Sequence, residues 1–339
     1  MIYLYSFLSS FFLSLAITPL IILLARRLQV IDVPKEPRKL HDKPTPLLGG
    51  TAIFLSFIFT LLLFLYLGFV IDKVISYKSV FAIIIGGIVI QFGGIIDDKY
   101  NLRPSWQIFF PILAAMTAII LGVQISFVTN PMGGVLHIMP WIGSGITFFW
   151  LMGMMYTMKF LDGLDGLAAG EACIASLIIF VVSLFWDVPQ SGTSLLSLMI
   201  AGSTLGFLIF NFYPAKVFLG EGGSVFLGFV LGILSIVSGS KIATAMLIMG
   251  LPIIDTLWVI IKRVQEKKSP FVGDRKHFHF KLLDSGMNQT QAVFFIYAIT
   301  ALFGIISLFL GTKGKIFSIA VLVALSVAMI KRFYIKKSI

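Results

Sequence analysis

Ser79-Val-Phe-Ala-Ile-Ile-Ile-Gly-Gly-Ile-Val-Ile-Gln-Phe-Gly-Gly-Ile-Ile-Asp97-Asp98 decides the fold class of this chain. Residues 79–96 carry no formal charge, and then two carboxylates arrive together. An uncharged apolar run of about 17–25 residues is what a helix needs to cross a bilayer. Working outward, eleven such runs lie near 3–26, 47–70, 79–96, 105–123, 142–159, 166–186, 193–212, 222–238, 242–262, 289–311 and 315–332. Those at 79–96, 142–159 and 222–238 are rich in glycine, which suits close helix packing in lipid.

Composition agrees. Of 339 residues, 58% are hydrophobic and 12% are charged, against about 25% charged in a soluble domain. No polar segment exceeds roughly 30 residues, too short for a separate soluble domain. The expectation is an all-α integral membrane protein, one bundle of eleven transmembrane helices forming a single domain over 1–339. The lone Cys173 excludes an internal disulfide and a multi-thiolate zinc site. The net charge of +11 is explained by cationic loops beside an anionic leaflet and calls for no nucleic acid. The N-terminal apolar run lacks a basic leader and a small-residue cleavage site, so it reads as a retained first span.

Positive charge fixes orientation. If the first loop is cytoplasmic and the sides alternate, 21 of the 26 Lys and Arg fall on that side and 5 on the other. The N-terminus is then outside and the C-terminus in the cytoplasm. The cytoplasmic loops lie near 29–46, 97–104, 159–166, 213–222 and 262–288. Outside, Asn130-Pro-Met-Gly-Gly134 between β-prone flanks predicts a small hairpin within 124–140. No internal repeat is evident, which weighs against an inverted-repeat transporter.

The cytoplasmic loops gather most of the chemistry-bearing side chains. Asp97 and Asp98 repel one another unless a cation intervenes; the plain alternative is a solvated helix end. Asp162 and Asp165 are spaced for one helix face near the start of the sixth span; N-capping accounts for one of them more easily than for both. Gly220-Glu221-Gly-Gly-Ser224 lets backbone approach a phosphate and offers a carboxylate to Mg²⁺, or is simply a tight turn. Asn211 orients a ligand or caps a chain turn. Asp274-Arg275-Lys276-His277-Phe-His279 suits phosphate; in isolation a solvated basic loop explains it as well. Arg38, Lys39, His41 and Lys43 either bind substrate phosphate or attract headgroups. Asp255, the one acid placed inside a span, is a functional-site hypothesis or half of an ion pair with a neighbouring helix.

Taken in order, these segments resemble the polyprenyl-phosphate N-acetylhexosamine-1-phosphate transferases, the group of WecA, TagO and MraY. The resemblance runs from Asp32-Val-Pro34 and Arg38-Lys-Leu-His41 through Gly-Gly-Ile-Ile-Asp-Asp98, Leu-Asp-Gly-Leu-Asp-Gly-Leu-Ala168, Asn-Phe-Tyr-Pro-Ala215, Leu-Gly-Glu-Gly-Gly-Ser224 and Leu-Pro-Ile-Ile-Asp-Thr256 to Pro-Phe-x-x-Asp-Arg-x-His277. Eleven spans and the Asp-Arg-x-His-x-His loop look more like the WecA/TagO branch.

The resemblance implies a reaction. A polyprenyl phosphate, undecaprenyl phosphate by expectation, attacks the β-phosphorus of a UDP-N-acetylhexosamine, UDP-GlcNAc being the first choice. This gives polyprenyl-diphospho-sugar and UMP at the cytoplasmic membrane, the first membrane step of a cell-envelope polysaccharide. It implies Mg²⁺, with Mn²⁺ as an alternative. It assigns Asp97, Asp98, His277 and His279 to catalysis, and Asp98 with Glu221 to the metal. Asn211, Asp162, Asp165, Lys159, Arg275, Lys39 and His41 are assigned to nucleotide-sugar and phosphate. Membrane lipids and a homodimer are the implied partners. Five positions depart from the family pattern: Leu47 for Arg, Gln107 for Lys, Lys159 for Asn, Glu221 for Asp, and Phe280 for the last His of the histidine motif. Lys159 is expected to supply the charge missing at Gln107. Three readings compete: the same reaction with another UDP-N-acetylhexosamine, a transporter, which predicts polar groups at mid-membrane, and an inactive lipid-phosphate-binding relative.

Overall fold

The computed structural model describes residues 1–34, 42–73, 75–186, 191–237, 242–269 and 275–335. Among these the chain is helical apart from two two-stranded antiparallel ribbons. The helices are α1 (Ile2–Arg27), α2 (Gly49–Tyr66), α3 (Tyr77–Tyr100), α4 (Pro104–Gln107), α5 (Phe109–Ile120), α6 (Pro140–Leu161) and α7 (Leu167–Trp186). They continue with α8 (Gly192–Asn211), α9 (Gly220–Val237), α10 (Ile242–Ile248), α11 (Gly250–Gln265), α12 (Phe278–Asp284), α13 (Gln289–Phe309) and α14 (Thr312–Ile335). Eight are long and apolar enough to cross a membrane, nine if the bent pair α10–α11 is one span. This is the architecture of an all-α multi-pass membrane protein.

Each of the eleven apolar runs is helical, but two are broken, and both breaks have the same cause. Pro111 has no N–H to offer the Gln107 carbonyl, and the run divides there into α4 and α5. Pro252 likewise leaves the Ile248 carbonyl without its helical donor, and α10 and α11 meet at 76°. The expected hairpin is present as β3 (Phe127–Thr129) paired with β4 (Val135–His137). A ribbon that the sequence did not announce, β1 (Ile31–Asp32) with β2 (Thr45–Pro46), closes the ends of the first long loop. The short helix α12 was also unexpected; it forms inside the 262–288 loop.

The bundle centres on α9. The apolar stretch of α9 is 89% buried, against 17% for α14. Its glycines explain how it fits. A methyl group on Gly50 of α2 would stand 1.9 Å from the Gly223 Cα, and one on Gly94 of α3 would stand 2.2 Å from the Gly222 Cα. Backbones that touch in this way gain dispersion contacts without any hydrophobic driving force between helices in lipid. The seam fixes the first turn of α9, and so Glu221, against the ends of α2 and α3. On the other side of the molecule α1 buries Ser6, Ser10, Ser14 and Thr18 in a small-residue stripe, with Ser10 against Gly202 of α8.

Candidate active site

One end of the bundle collects the C-terminal ends of α3, α6 and α8, the N-terminal end of α9, and α12. The Asp98 side chain, on the last turn of α3, accepts a hydrogen bond at Oδ1 from the Glu221 backbone N–H at 3.0 Å. It thereby caps α9, whose unsatisfied N–H groups favour an anion. Gly220 makes this approach feasible: its φ is +77°, and a Cβ there would lie 2.5 Å from Asp98 Oδ2. The neighbouring Asp97 is turned to the chain that follows, its Oδ1 accepting from Leu102 N at 2.8 Å and from Gln107 Nε2 at 3.0 Å.

Lys159 reaches into this group. Its Nζ is 2.6 Å from Glu221 Oε1 and 3.1 Å from Gln107 Oε1. Lys159 thus joins two of the other departures from the family pattern, and its ammonium stands beside Gln107. Asp97, Asp162 and Glu221 all act electrostatically on Asp98. Burial, followed by the Glu221 and Asp165 carboxylates, pushes Asp162 up to about 7.

Among the described residues no three His, Cys, Asp or Glu side chains group as a ready-made metal cage. Mg²⁺ does not require one, because it is commonly held by one or two carboxylates plus substrate phosphates and water. The donor set fits such an ion. Asp98 and Glu221 would offer it hard carboxylate oxygens joined through the first turn of α9, and the Lys159 ammonium lies beside Glu221. A small cavity of about 10 Å³, the size of one water molecule, lies beside the carboxylates. Asp97, Gln107 and Glu221 border it together with Ile90, Phe110, Pro111 and Val225.

The loop between α6 and α7 is stitched to the one after α8. Asp165 Oδ2 accepts from Ala215 N at 2.9 Å. Asn211 is 4% exposed; its Oδ1 accepts from Gly166 N at 3.1 Å and its Nδ2 donates to Val217 O at 2.9 Å. Each end of the Asn211 amide thus holds one backbone partner. Of the two readings of Asn211 the geometry favours the chain turn over direct ligand contact.

The histidines divide. His277 Nδ1 lies 2.9 Å from Asp255 Oδ2, and Arg263 Nη2 lies 3.4 Å from its Nε2. Asp255 Oδ1 also accepts from Phe278 N at 2.8 Å. Both nitrogens of His277 are therefore engaged by protein, at variance with the phosphate contact expected of it. The partner of Asp255 is this loop histidine, and Arg263, read as part of a solvated loop, is 1% exposed. His279 is different. It is 1% exposed, its Nε2 has no hydrogen-bond partner among the described residues, and it lies 2.3 Å from where a Cβ on Gly163 would be. Burial and then His277 hold His279 well below the usual imidazole range, so it is neutral at pH 7.

Arg275 lies 3.5 Å from Asp284 Oδ1 and over the ring of Phe280, so the departure at Phe280 carries an arginine on its face. Lys39, His41, Arg38 and Asp274 lie outside the described residues. The sequence reading singles out Gln107 only as a departure from the family pattern, and does not point to Arg263 or Phe160. It also missed Glu171, fully buried within α7, so Asp255 is not the one acid inside the helices. A run of Gly and Ala around Glu171 hid it, whereas the burial of Arg263 left no sequence signal at all.

A family model described as Glycosyl transferase family 4 matches residues 80–239. A probable undecaprenyl-phosphate N-acetylglucosaminyl 1-phosphate transferase of Bacillus subtilis is 33% identical over 309 residues, covering 88% of this chain and 82% of its own. A decaprenyl-phosphate N-acetylglucosaminephosphotransferase of Mycolicibacterium smegmatis is 32% identical over 337 residues, covering 91% and 83%. A phospho-N-acetylmuramoyl-pentapeptide-transferase of Oceanobacillus iheyensis is 29% identical over 320 residues, covering 89% and 95%. With similarity of this extent over the helices that build the carboxylate cluster, the chain belongs to the polyprenyl-phosphate N-acetylhexosamine-1-phosphate transferases of glycosyl transferase family 4.

Proposed function

We propose that this enzyme transfers GlcNAc-1-phosphate from UDP-GlcNAc to undecaprenyl phosphate at the cytoplasmic face of the membrane, releasing UMP. One observation carries the reading. Four carboxylates, Asp97, Asp98, Asp162 and Glu221, lie within electrostatic reach of one another at one end of the bundle, with Lys159 on Glu221 and a small, largely apolar cavity beside Asp97 and Glu221. An acceptor that is a phosphate on a long apolar tail needs such a junction of polar and apolar surface.

The oxygen of the lipid phosphate forms a new bond to the β-phosphorus of the donor, and the bond from that phosphorus to the bridging oxygen breaks. The pair of electrons leaves with UMP. A phosphate monoester has a second pKa near about 6, so it is largely dianionic at neutral pH. A general base at Asp97 is then less necessary than charge neutralisation. Mg²⁺, or Mn²⁺ in its place, would be held by Asp98 and Glu221, and when bound it supplies that neutralisation. Lys159 and Arg275 contribute further positive charge toward the diphosphate. Neutral His279 lies over Gly163 of the Asp162–Asp165 loop, placing a ring nitrogen beside the expected nucleotide-sugar site. Lys39 and His41 complete the set of phosphate contacts.

Our reading of eleven crossings adds the broken α4–α5 and the less apolar α6 to the eight long helices and the bent α10–α11. With the N-terminus outside, the ends of α3, α6 and α8 and the start of α9 all fall in the cytoplasm, which their convergence supports.

The test uses purified protein in detergent with undecaprenyl phosphate, radiolabelled UDP-GlcNAc and Mg²⁺. Label in the lipid extract that disappears with EDTA and in D98N supports the reading. Label only with another UDP-N-acetylhexosamine moves the donor assignment. No label with any donor defeats it in favour of a binding protein without activity.

A further inference from the structure

Asp255 and Arg263 lie two turns apart on α11, and His277 bridges them from the loop outside the helix. All three are buried: Asp255 is 5% exposed, His277 4% and Arg263 1%. An arginine has only donors, so Nε2 of His277 must accept from it. The proton of the neutral ring is then on Nδ1 and is donated to Asp255. The ring is also fixed in plane. Phe160 of α6 stacks on it with centroids 5.5 Å apart, and His279 lies parallel to it at 5.7 Å with 3° between the rings. Arg263 in turn covers Phe160 at 5.5 Å. The break at Pro252 aims the start of α11, with Asp255, at this cluster.

We infer that Asp255 is a positioning residue for the histidine loop: it fixes His277 as the Nδ1–H tautomer, and His277 sets the orientation in which His279 meets the donor's diphosphate. The inference rests on the proposed reaction for its last clause only. Asp255 engages both His277 Nδ1 and the Phe278 backbone N–H, so one carboxylate holds the N-cap side chain and the first backbone donor of α12 together. His279, one residue further, is carried by that turn. His277 acts through His279 and touches no substrate itself.

D255N tests this. The amide is nearly isosteric and can still accept from Phe278 N, but it presents an N–H to His277 Nδ1. That forces the other tautomer, whose Nε2–H would point at Arg263. In protein labelled with isotopic histidine, nitrogen NMR distinguishes the tautomers, and the chain has only 4 histidines to assign. The expected result is Nδ1–H at His277 in the wild type, reversed in D255N. Misorienting a group near the reacting atoms costs up to about 100-fold in rate, so kcat falls about 10–100-fold while KM for the UDP-sugar stays within about threefold. A second comparison covers failure of D255N to fold. H277N keeps an N–H donor at the Nδ1 position and is expected to exceed H277A in kcat by about tenfold.

An Nε2–H wild-type ring overturns the proposal. So does D255N with kcat within about twofold of wild type, or H277N no better than H277A. If wild-type protein transfers sugar phosphate from no donor, the reaction reading fails, and the tautomer measurement alone decides the role of Asp255.

Discussion

Lys159 Nζ stands 2.6 Å from Glu221 Oε1, joining the end of α6 to the first turn of α9 at the point where the family pattern has an asparagine and an aspartate. Gln107 completes the contact from α4. The longer glutamate reaches a cation that an aspartate at the same position would approach less closely, and the lysine reaches a glutamine where the family pattern has lysine. The three departures read as one exchange of charge between α4 and α6. Each side chain of the Lys159–Glu221 pair is 17% exposed, between the surface and buried limits, so losing the pair costs about 1–3 kcal/mol. K159A is expected to lower both thermal stability and activity. Q107K alone places a second cation beside Lys159 and is expected to be worse than Q107K/K159N. A double-mutant cycle on melting and on kcat/KM checks this: coupling below about 0.5 kcal/mol, or K159A with unchanged activity, would disprove the exchange.

The approach of α9 to α2 and α3 gives a second prediction. Gly94→Ala puts its methyl group 2.2 Å from Gly222 Cα, with backbone and not a flexible side chain in the way. The helices must separate, and overpacking of this kind costs about 1–3 kcal/mol. Because Glu221 and Asp98 flank the seam, the transfer rate is expected to fall more than the melting temperature would suggest. Gly153→Ala, whose position has open space, is the matched control. Equal behaviour of the two variants would show that the seam does not position the carboxylates.

Asn211 supplies a third. It joins Gly166 to Val217 while buried, so N211A leaves a backbone donor and acceptor unpaired at about 1–3 kcal/mol. The expected outcome is a lower melting temperature together with a raised KM for the UDP-sugar, since the Asp162–Asp165 loop loses its anchor. N211D keeps the acceptor toward Gly166 but turns a buried carboxylate oxygen toward the Val217 carbonyl, and should be no more stable than N211A. A full-length N211A with wild-type melting would contradict the stitching role.

How far the sequence could lead is clear from particular residues. Lipid forces a spanning element to be an uncharged helix of sufficient length, so the apolar runs were legible from residue types alone. Hydropathy is blind to a missing hydrogen bond, so Pro111 and Pro252 sat inside runs that were read as continuous. The carboxylates were found because acids at span ends stand out against an apolar background. Their partners were legible only in part: the departures from the family pattern pair Lys159 with Gln107, but nothing in the order of residues says that Lys159 also meets Glu221 or that Asp98 caps α9. Arg263 was counted with its loop because lysine and arginine near a helix end are usually solvated. The His-x-His spacing treats its two rings alike, and only the fold gives one to Asp255 and leaves the other facing Gly163.

That difference predicts how stability depends on pH. His279 is held well below its ordinary value of 6.5 by burial and by His277. Above about pH 6.5 the ring is neutral in both the folded and unfolded chain and adds no pH dependence. As pH falls below that value the unfolded chain takes up a proton that the folded chain refuses, and stability is lost until the lowered folded pKa is reached. H279Q keeps a polar side chain of similar reach without a titrating group. Its melting temperature, followed from about pH 7.5 to about pH 5.5, is expected to fall less steeply than that of the wild type. Titrations common to both proteins cancel in the comparison. Parallel curves would mean that His279 takes up its proton as readily in the folded protein as in water, which a ring this deeply enclosed over Gly163 should not do.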